Sequence, residues 1–449
     1  MAKQKAPNVR LRALLVEAGW AGEDLARAVN AVGAESCLTL RYDRTSIAHW
    51  LSGSRPPEHV CEFVAESLSR RLLRRVTVAD TALSRRPADD SADPAAQGRA
   101  EDVVTRLVQL AGTGPARRSV VQVLAYTAVA AVPTFASLMA QSAPSGAAPV
   151  TRVEPQQWQT ASLLLGVFAE SDAMFGGGRA RPALSAYLAN DVAGWLRAPA
   201  SSRNRHELLR SAGRLTYLAG YMCFDGNLNG AAQAYYRTAA DLFIEAGDSG
   251  GFSTVLRAMS IQAYYLGHHN HAWELAEAAV WHRSALSRVQ SAQLSAQLAV
   301  AAAGHGDRRA ALSYLGQAQG MLSRGESAHG TLGAYHPSSL AHQEAEVLAL
   351  TGDRAGAITA LTTSLRHRPP DERRARALTT ARLAELHLEQ GQLEQACVSW
   401  HAFLDDQPHL QSGRATAALV SLRSRLRPHQ RVPAAKKVLS RVALLTSAA

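Results

Sequence analysis

The sharpest chemical pattern in the chain lies between Asp43 and Pro57, D-R-T-S-I-A-H-W-L-S-G-S-R-P-P. It gathers polar groups in one short stretch: Arg44, Thr45, Ser46, His49 and Arg55, with Arg41 and Tyr42 just before. A guanidinium can pair bidentately with phosphate or guanine, so an arginine-led cluster points to anionic partners. Ile47, Trp50 and Leu51 stand at i, i+3, i+4 and give the stretch one apolar face, as a short helix requires. Asp43 or Thr45 can cap that helix, and Gly53 ends it. Pro56 and Pro57 fix the entry to a following helix, from about 58 to 75. Upstream, residues 9–18 form a helix with Leu11, Leu14 and Leu15 inside. A second, about 23–32, turns Leu25, Ala26 and Val29 inward.

Other clusters are weaker. Arg70, Arg71, Arg74 and Arg75 form a basic stripe at i, i+4, suited either to a DNA backbone or to a solvated helix end. His268, His269 and His271 are adjacent, but they have no acidic partner nearby to fix a metal geometry, so they read as a loop. Gly176, Gly177 and Gly178 precede Arg179 and Arg181, but without the lysine and preceding strand of a phosphate loop they read as a flexible turn. The chain has no G-x-S-x-G and no H-E-x-x-H. No catalytic residue, cofactor or metal site is expected, and the chain is not read as an enzyme. Trp158, Phe168, Phe175, Tyr217, Tyr221, Phe224, Tyr264 and Tyr265 fit a core as well as a pocket.

Two helices, a turn, a short helix ending W-L-x-G-x-R-x-P and a further helix: over residues 8–76 this resembles the helix-turn-helix domain of the lambda-repressor/Cro type, the xenobiotic-response-element regulators. The loop from Gly33 to Tyr42 is longer than that family's tight turn and shifts the third helix on its scaffold. The resemblance implies that the third helix enters the major groove, with Arg44, Thr45, Ser46 and His49 facing double-stranded DNA. It assigns Arg41, Tyr42 and Arg55 to phosphate contacts that set register. A helix-turn-helix kept for protein contact is the alternative.

The chain has 449 residues, 47% apolar and 19% charged, and a formal charge of +11. That composition suits two or three soluble domains and a nucleic-acid or anionic-lipid partner. All but four of the basic residues are arginine. Cys37, Cys61, Cys223 and Cys397 are far apart without a C-x-x-C, which argues against a disulfide framework or a cysteine zinc site and favours the cytoplasm. Residues 84–116 are rich in Pro, Asp, Ala and Gly and read as a linker after a DNA-binding domain at 8–83. Residues 117–150 hold an apolar stretch, Val120 to Ala140, interrupted by Pro133. It reads as a buried connecting helix; a membrane span is the alternative.

From 151 to 449 the chain is a series of Ala- and Leu-rich helical segments without strand patterning, so the fold class is all-α. A glycine is followed five residues later by an alanine at Gly226/Ala231, Gly267/Ala272, Gly306/Ala311, Gly352/Ala357 and Gly391/Ala396, at intervals of about 40 residues. Each glycine supplies the positive φ between two helices, and each alanine lets the second helix pack closely on the first. Residues 411–445 cap the array. This resembles the tetratricopeptide repeat in a degenerate, lengthened form. Such arrays carry a concave face that binds peptides, small molecules or protein segments.

The two parts together resemble the peptide-pheromone-sensing regulators of Gram-positive bacteria and, more closely, Streptomyces regulators of sporulation and antibiotic production. That resemblance implies a cytoplasmic homodimeric transcription factor whose array senses a ligand. The alternative is a protein-interaction scaffold with little DNA binding of its own.

Overall fold

The computed structural model describes residues 6–36, 38–83, 102–112, 126, 152–281, 286–323 and 335–447. Among these there is no β-strand; one isolated bridge joins Val153 to Ala200.

The N-terminal unit comprises α1 (Val9–Ala18), α2 (Gly22–Glu35), α3 (Arg44–Leu51), α4 (Glu58–Leu72) and the single turn α5 (Val78–Thr81). Leu11, Leu25, Val29, Ile47, Val60, Phe63, Val64 and Leu68 have no exposed surface and form its core with Trp50. Each such side chain contributes about 2 kcal/mol by leaving water. The helix starts are local in origin. Asn8 Oδ1 accepts the Leu11 amide at 3.0 Å, while its Nδ2 donates to the Thr81 carbonyl at 2.9 Å and ties α5 to α1. The expected second and fourth helices differ by a few residues at their ends, as fraying ends do.

The loop between α2 and α3 folds inward. Leu38 and Leu40 pack on the core, and a Cβ on Gly33 would stand 2.4 Å from Leu40 Cδ1. Asn30 brackets Tyr42, accepting its amide at 3.0 Å and donating to its carbonyl at 2.9 Å. The extra length is therefore spent on apolar anchors beneath α3.

Residues 102–112 correct the expected linker. Val103–Gly112 forms helix α6, with Val104, Leu107 and Ala111 buried in the core of the C-terminal unit. Arg106 holds Asp241 at 2.6 Å. The rest of 84–116 lies outside the described residues. So does the apolar stretch 120–140 apart from Tyr126, which is 3% exposed. Among the described residues no helix is long and apolar enough to cross a membrane.

Helices α7 (Pro155–Phe175), α8 (Gly177–Tyr187), a π-turn at Leu188–Val192 and α9 (Ala193–Arg197) form an opening layer. Five antiparallel hairpins follow. They are α10 (Ser202–Asp225) with α11 (Asn229–Glu245), α12 (Ser249–Tyr265) with α13 (His269–Val280), and α14 (Arg288–His305) with α15 (Arg308–Leu322). Then come α16 (Pro337–Leu350) with α17 (Arg354–His367), and α18 (Arg373–Glu389) with α19 (Leu393–Asp406). The final pair is α20 (Gly413–Leu426) and α21 (Pro433–Ser447). Hairpins stacked in order, each on its neighbour, make the C-terminal unit a tetratricopeptide-like array.

The turn pattern holds at four of the five glycines. Gly267, Gly306, Gly352 and Gly391 have φ between +73° and +97°, and Ala272, Ala311, Ala357 and Ala396 are completely buried. The first turn is displaced by one residue: Gly226 has φ −77°, and Asn227 takes the left-handed conformation at φ +59°. The buried alanine five residues on is accordingly Ala232, with no exposed surface, and Ala231 is half-buried.

The array closes on its own start. The Gly178 amide donates to the Gln411 carbonyl at 2.8 Å, and the Gln411 amide to the Phe175 carbonyl at 2.7 Å. A Cβ on Gly177 would lie 2.5 Å from the Met222 carbonyl oxygen, and one on Gly413 2.6 Å from Gly226. The Gly176–Gly178 run is thus not a loose turn; it opens α8 where only a bare backbone fits. Arg374 of α18 completes the closure, bonding Asp172 of α7 at 2.8 Å and the Tyr221 hydroxyl of α10 at 3.2 Å.

Candidate functional site: the α3 face and the domain junction

Asp43 caps α3, accepting the Ser46 amide and hydroxyl, each at 2.8 Å. These bonds hold the Asp43 carboxyl below the usual carboxylate range. Ile47 and Trp50 point into the core. The opposite face carries Arg44, Thr45 and His49, all exposed, flanked by exposed Arg41 and Arg55. Among the described residues none of these three arginines makes an ion pair with a carboxylate.

Two candidates stand apart from that face. The Ser46 hydroxyl is committed to the Asp43 cap. Tyr42 is half-buried, its ring packed edge-on against Trp50 at 5.0 Å, and burial, helped by Cys61, raises its phenol above the ordinary value. Tyr42 and Ser46 build α3; Arg41, Arg44, Thr45, His49 and Arg55 decorate it.

The arginine stripe on α4 also departs from expectation. Arg70 bonds Glu35 at 2.6 Å and Glu66 at 2.7 Å, Arg74 bonds Glu17 at 2.6 Å, and Arg71 Nε donates to the Ala18 carbonyl at 2.9 Å. Three of the four guanidiniums bond within the protein, although Arg71 and Arg74 remain exposed, as does Arg75 beyond the end of α4.

The stripe and the histidine cluster meet at the junction between the two units. His268 is not in a free loop. It is the residue before α13, 6% exposed, and its Nε2 lies 2.9 Å from Glu66 Oε1. Burial works to raise the Glu66 carboxyl, but the His268 hydrogen bond and the charges of Arg70 and His268 outweigh it and hold the group low. Asn229 Nδ2 donates to Glu35 Oε2 at 3.1 Å, and Gln262 Nε2 holds the Asn229 carbonyl at 2.8 Å. Tyr126 stacks on the His268 ring with centroids 5.4 Å apart. A cleft of about 560 Å³ opens beside the network, lined by Glu35, Arg70, Asn227, Asn229, Tyr265 and Leu266 among others. His269 and His271 sit on α13 itself, where burial lowers the basicity of both.

Sequence reading missed His268 as a junction residue, although one signal was present. Three inter-helix turns place Asp after the left-handed glycine, at Asp248, Asp307 and Asp353, and each caps the next helix at 2.8–2.9 Å. His268 stands at that position instead, freeing its side chain for Glu66.

The described residues hold no cluster of His, Cys, Asp or Glu suited to a metal. Cys61, Cys223 and Cys397 are buried free thiols, and burial pushes Cys61 up to about 11.

Comparison with known proteins gives a family match at the N-terminal unit. The model of the SP15 N-terminal domain matches residues 11–84, the stretch that folds as α1–α5. No curated protein matches the chain. Among solved structures, the crystal structure of the APC/C hetero-tetramer Cut9-Hcn1 aligns with a TM-score of 0.34 at 13% identity, covering 87% of this chain and 67% of that one.

Proposed function

We propose that the chain is a helical-repeat interaction protein whose array holds the N-terminal unit as an intramolecular partner and docks further proteins on its remaining surface. The observation that carries this reading is the buried junction: Glu66, Arg70 and Glu35 from one unit meet His268 and Asn229 from the other. Stacked helix pairs expose long continuous surfaces without active-site chemistry, which suits protein docking.

A second reading is favoured by one separate observation. Docking through α2 and α4 leaves the outward face of α3 uncovered, with Arg41, Arg44, His49 and Arg55 exposed in the docked chain. On this reading the N-terminal unit reads double-stranded DNA, as a cytoplasmic homodimer on an inverted repeat, and the array regulates it.

One experiment separates the two. Tagged full-length chain is captured from its host at near-physiological salt, and both the protein and the DNA in the eluate are identified. The interaction reading expects a stoichiometric protein that the Arg44→Ala/His49→Ala double variant still retains. The DNA reading expects an enriched inverted-repeat sequence that the same variant loses. An eluate with neither overturns both.

A further inference from the structure

A guanidinium taken out of water is costly unless an anion meets it. At three of its buried or half-buried arginines the chain supplies more than a neutral partner. Arg374 faces Asp172 at 2.8 Å and Asp225 at 3.7 Å, Arg368 faces Glu372 at 2.7 Å, and Arg70 faces Glu35 and Glu66.

Arg257 of α12 is more deeply buried than Arg70 or Arg368 and has no such partner among the described residues. It is 8% exposed, and its terminal NH2 reaches the Tyr217 hydroxyl of α10 at 3.3 Å. Its Nε is buried without a hydrogen-bond partner, and among the described residues it has no carboxylate within ion-pair distance. Neighbouring oxygens are equally unused. The Tyr236 hydroxyl of α11 has no partner, and its ring lies 5.9 Å from that of Tyr217. Ser253 Oγ, one helical turn before Arg257 on the same face of α12, is fully buried and also unpartnered. Burial raises the phenols of Tyr217, Tyr236 and Tyr335, and the charge of Arg257 works against that rise at all three. So Arg257 sits among three phenols, and among the described residues no carboxylate lies within ion-pair distance of it.

The position has the character of a binding wall. Arg257 and Tyr217 belong to first helices of consecutive hairpins, and Tyr335 lies two residues before a third, α16. Two first helices, α18 and α10, meet directly at the Arg374–Tyr221 contact.

We propose that Arg257, with the hydroxyls of Tyr217, Tyr236 and Ser253, anchors a small anion bearing a carboxylate or phosphate group inside the array. The ligand completes the charge pair that the described residues leave open, and its oxygens accept from Arg257 Nε and from the unused hydroxyls. This site is independent of the docking and DNA readings above.

The test uses purified full-length chain and thermal unfolding at constant ionic strength and pH 7.5. Potassium phosphate, potassium acetate and potassium chloride are compared, together with Arg257→Met and, as a control, Arg354→Met, whose side chain is 51% exposed. The expected result is a saturable rise in Tm with phosphate or acetate but not chloride. The rise persists in Arg354→Met and disappears in Arg257→Met. Which anion raises Tm distinguishes the phosphate from the carboxylate source. Without added anion, Arg257→Met is as stable as the wild type or more so, because an unbalanced buried charge has been removed. The proposal is overturned if the wild type shows no anion-specific rise, if the rise survives in Arg257→Met, or if Arg257→Met is destabilised in chloride alone.

Discussion

Replacing Arg374 by methionine removes the charge that closes the array while keeping most of the side-chain stem. Arg374 is 7% exposed, and its carboxylate partners Asp172 and Asp225 are 3% and 0% exposed. Breaking a buried pair from one side costs about 3–5 kcal/mol, chiefly because the remaining charge has lost its partner. Here two carboxylates are left facing each other, so the loss at pH 7.5 is expected at about 4 kcal/mol. That is a large share of the stability of an ordinary domain. The loss depends on pH. In the intact protein, burial pushes Asp172 from its ordinary 3.8 up to about 6, with Asp225 adding to the rise and Arg374 opposing it. An acid whose folded-state pKa is raised binds an extra proton in the folded state, so stability increases as pH falls from about 6 towards 4. Without Arg374 the Asp172 carboxyl rises further, and a proton taken up there at pH 5 relieves its repulsion with Asp225. Urea unfolding followed by far-ultraviolet circular dichroism at pH 7.5 and pH 5.0 should therefore show a deficit that shrinks by roughly half at the lower pH. Arg374→Met/Asp172→Asn should recover stability at pH 7.5. A single variant within about 1 kcal/mol of the wild type, or equally destabilised at both pH values, refutes the reasoning.

Three further outcomes follow from backbone and surface geometry. Asn227→Gly should stabilise the first hairpin by up to about 1 kcal/mol, since φ +59° suits glycine, whereas Asn227→Val should destabilise it by at least as much in thermal unfolding. Gly177→Ala forces a Cβ to 2.5 Å from the Met222 carbonyl oxygen and should cost about 2 kcal/mol, read by the same assay, with faster hydrogen exchange at the start of α8. Arg44→Ala/His49→Ala should leave Tm within a degree or two of the wild type, because both side chains are exposed.

What the sequence made legible was local. Asp43 as a cap, Ile47 and Trp50 as the inner face of α3, and the turn glycines at 267, 306, 352 and 391 all follow from bonds and dihedrals within a few residues. The spacing of Val104, Leu107 and Ala111 also announced a helix, but the surrounding Pro, Asp and Gly masked it as linker. The one-residue displacement at Asn227 is hidden because asparagine, unlike most residues, can also enter the left-handed region, and a glycine stands beside it. The long-range features left no local trace. Glu66 and His268 are 202 residues apart, as are Asp172 and Arg374. Gly177 meets Met222, and Gly178 meets Gln411, only once the array has closed. The resemblance puts Tyr42 and Ser46 on DNA because it places that helix on DNA; their own neighbours, Trp50 and Asp43, hold them in structural contacts.

The central claim, that the array holds the N-terminal unit through a buried polar junction, is tested most directly by a double-mutant cycle on the full-length chain. Glu66→Gln, His268→Asn and the combined variant are compared with the wild type by equilibrium unfolding above pH 6, where the depressed Glu66 carboxyl is ionised. The account predicts a coupling energy of about 1 kcal/mol or more between two residues that face each other at 2.9 Å. Strictly additive effects would contradict it.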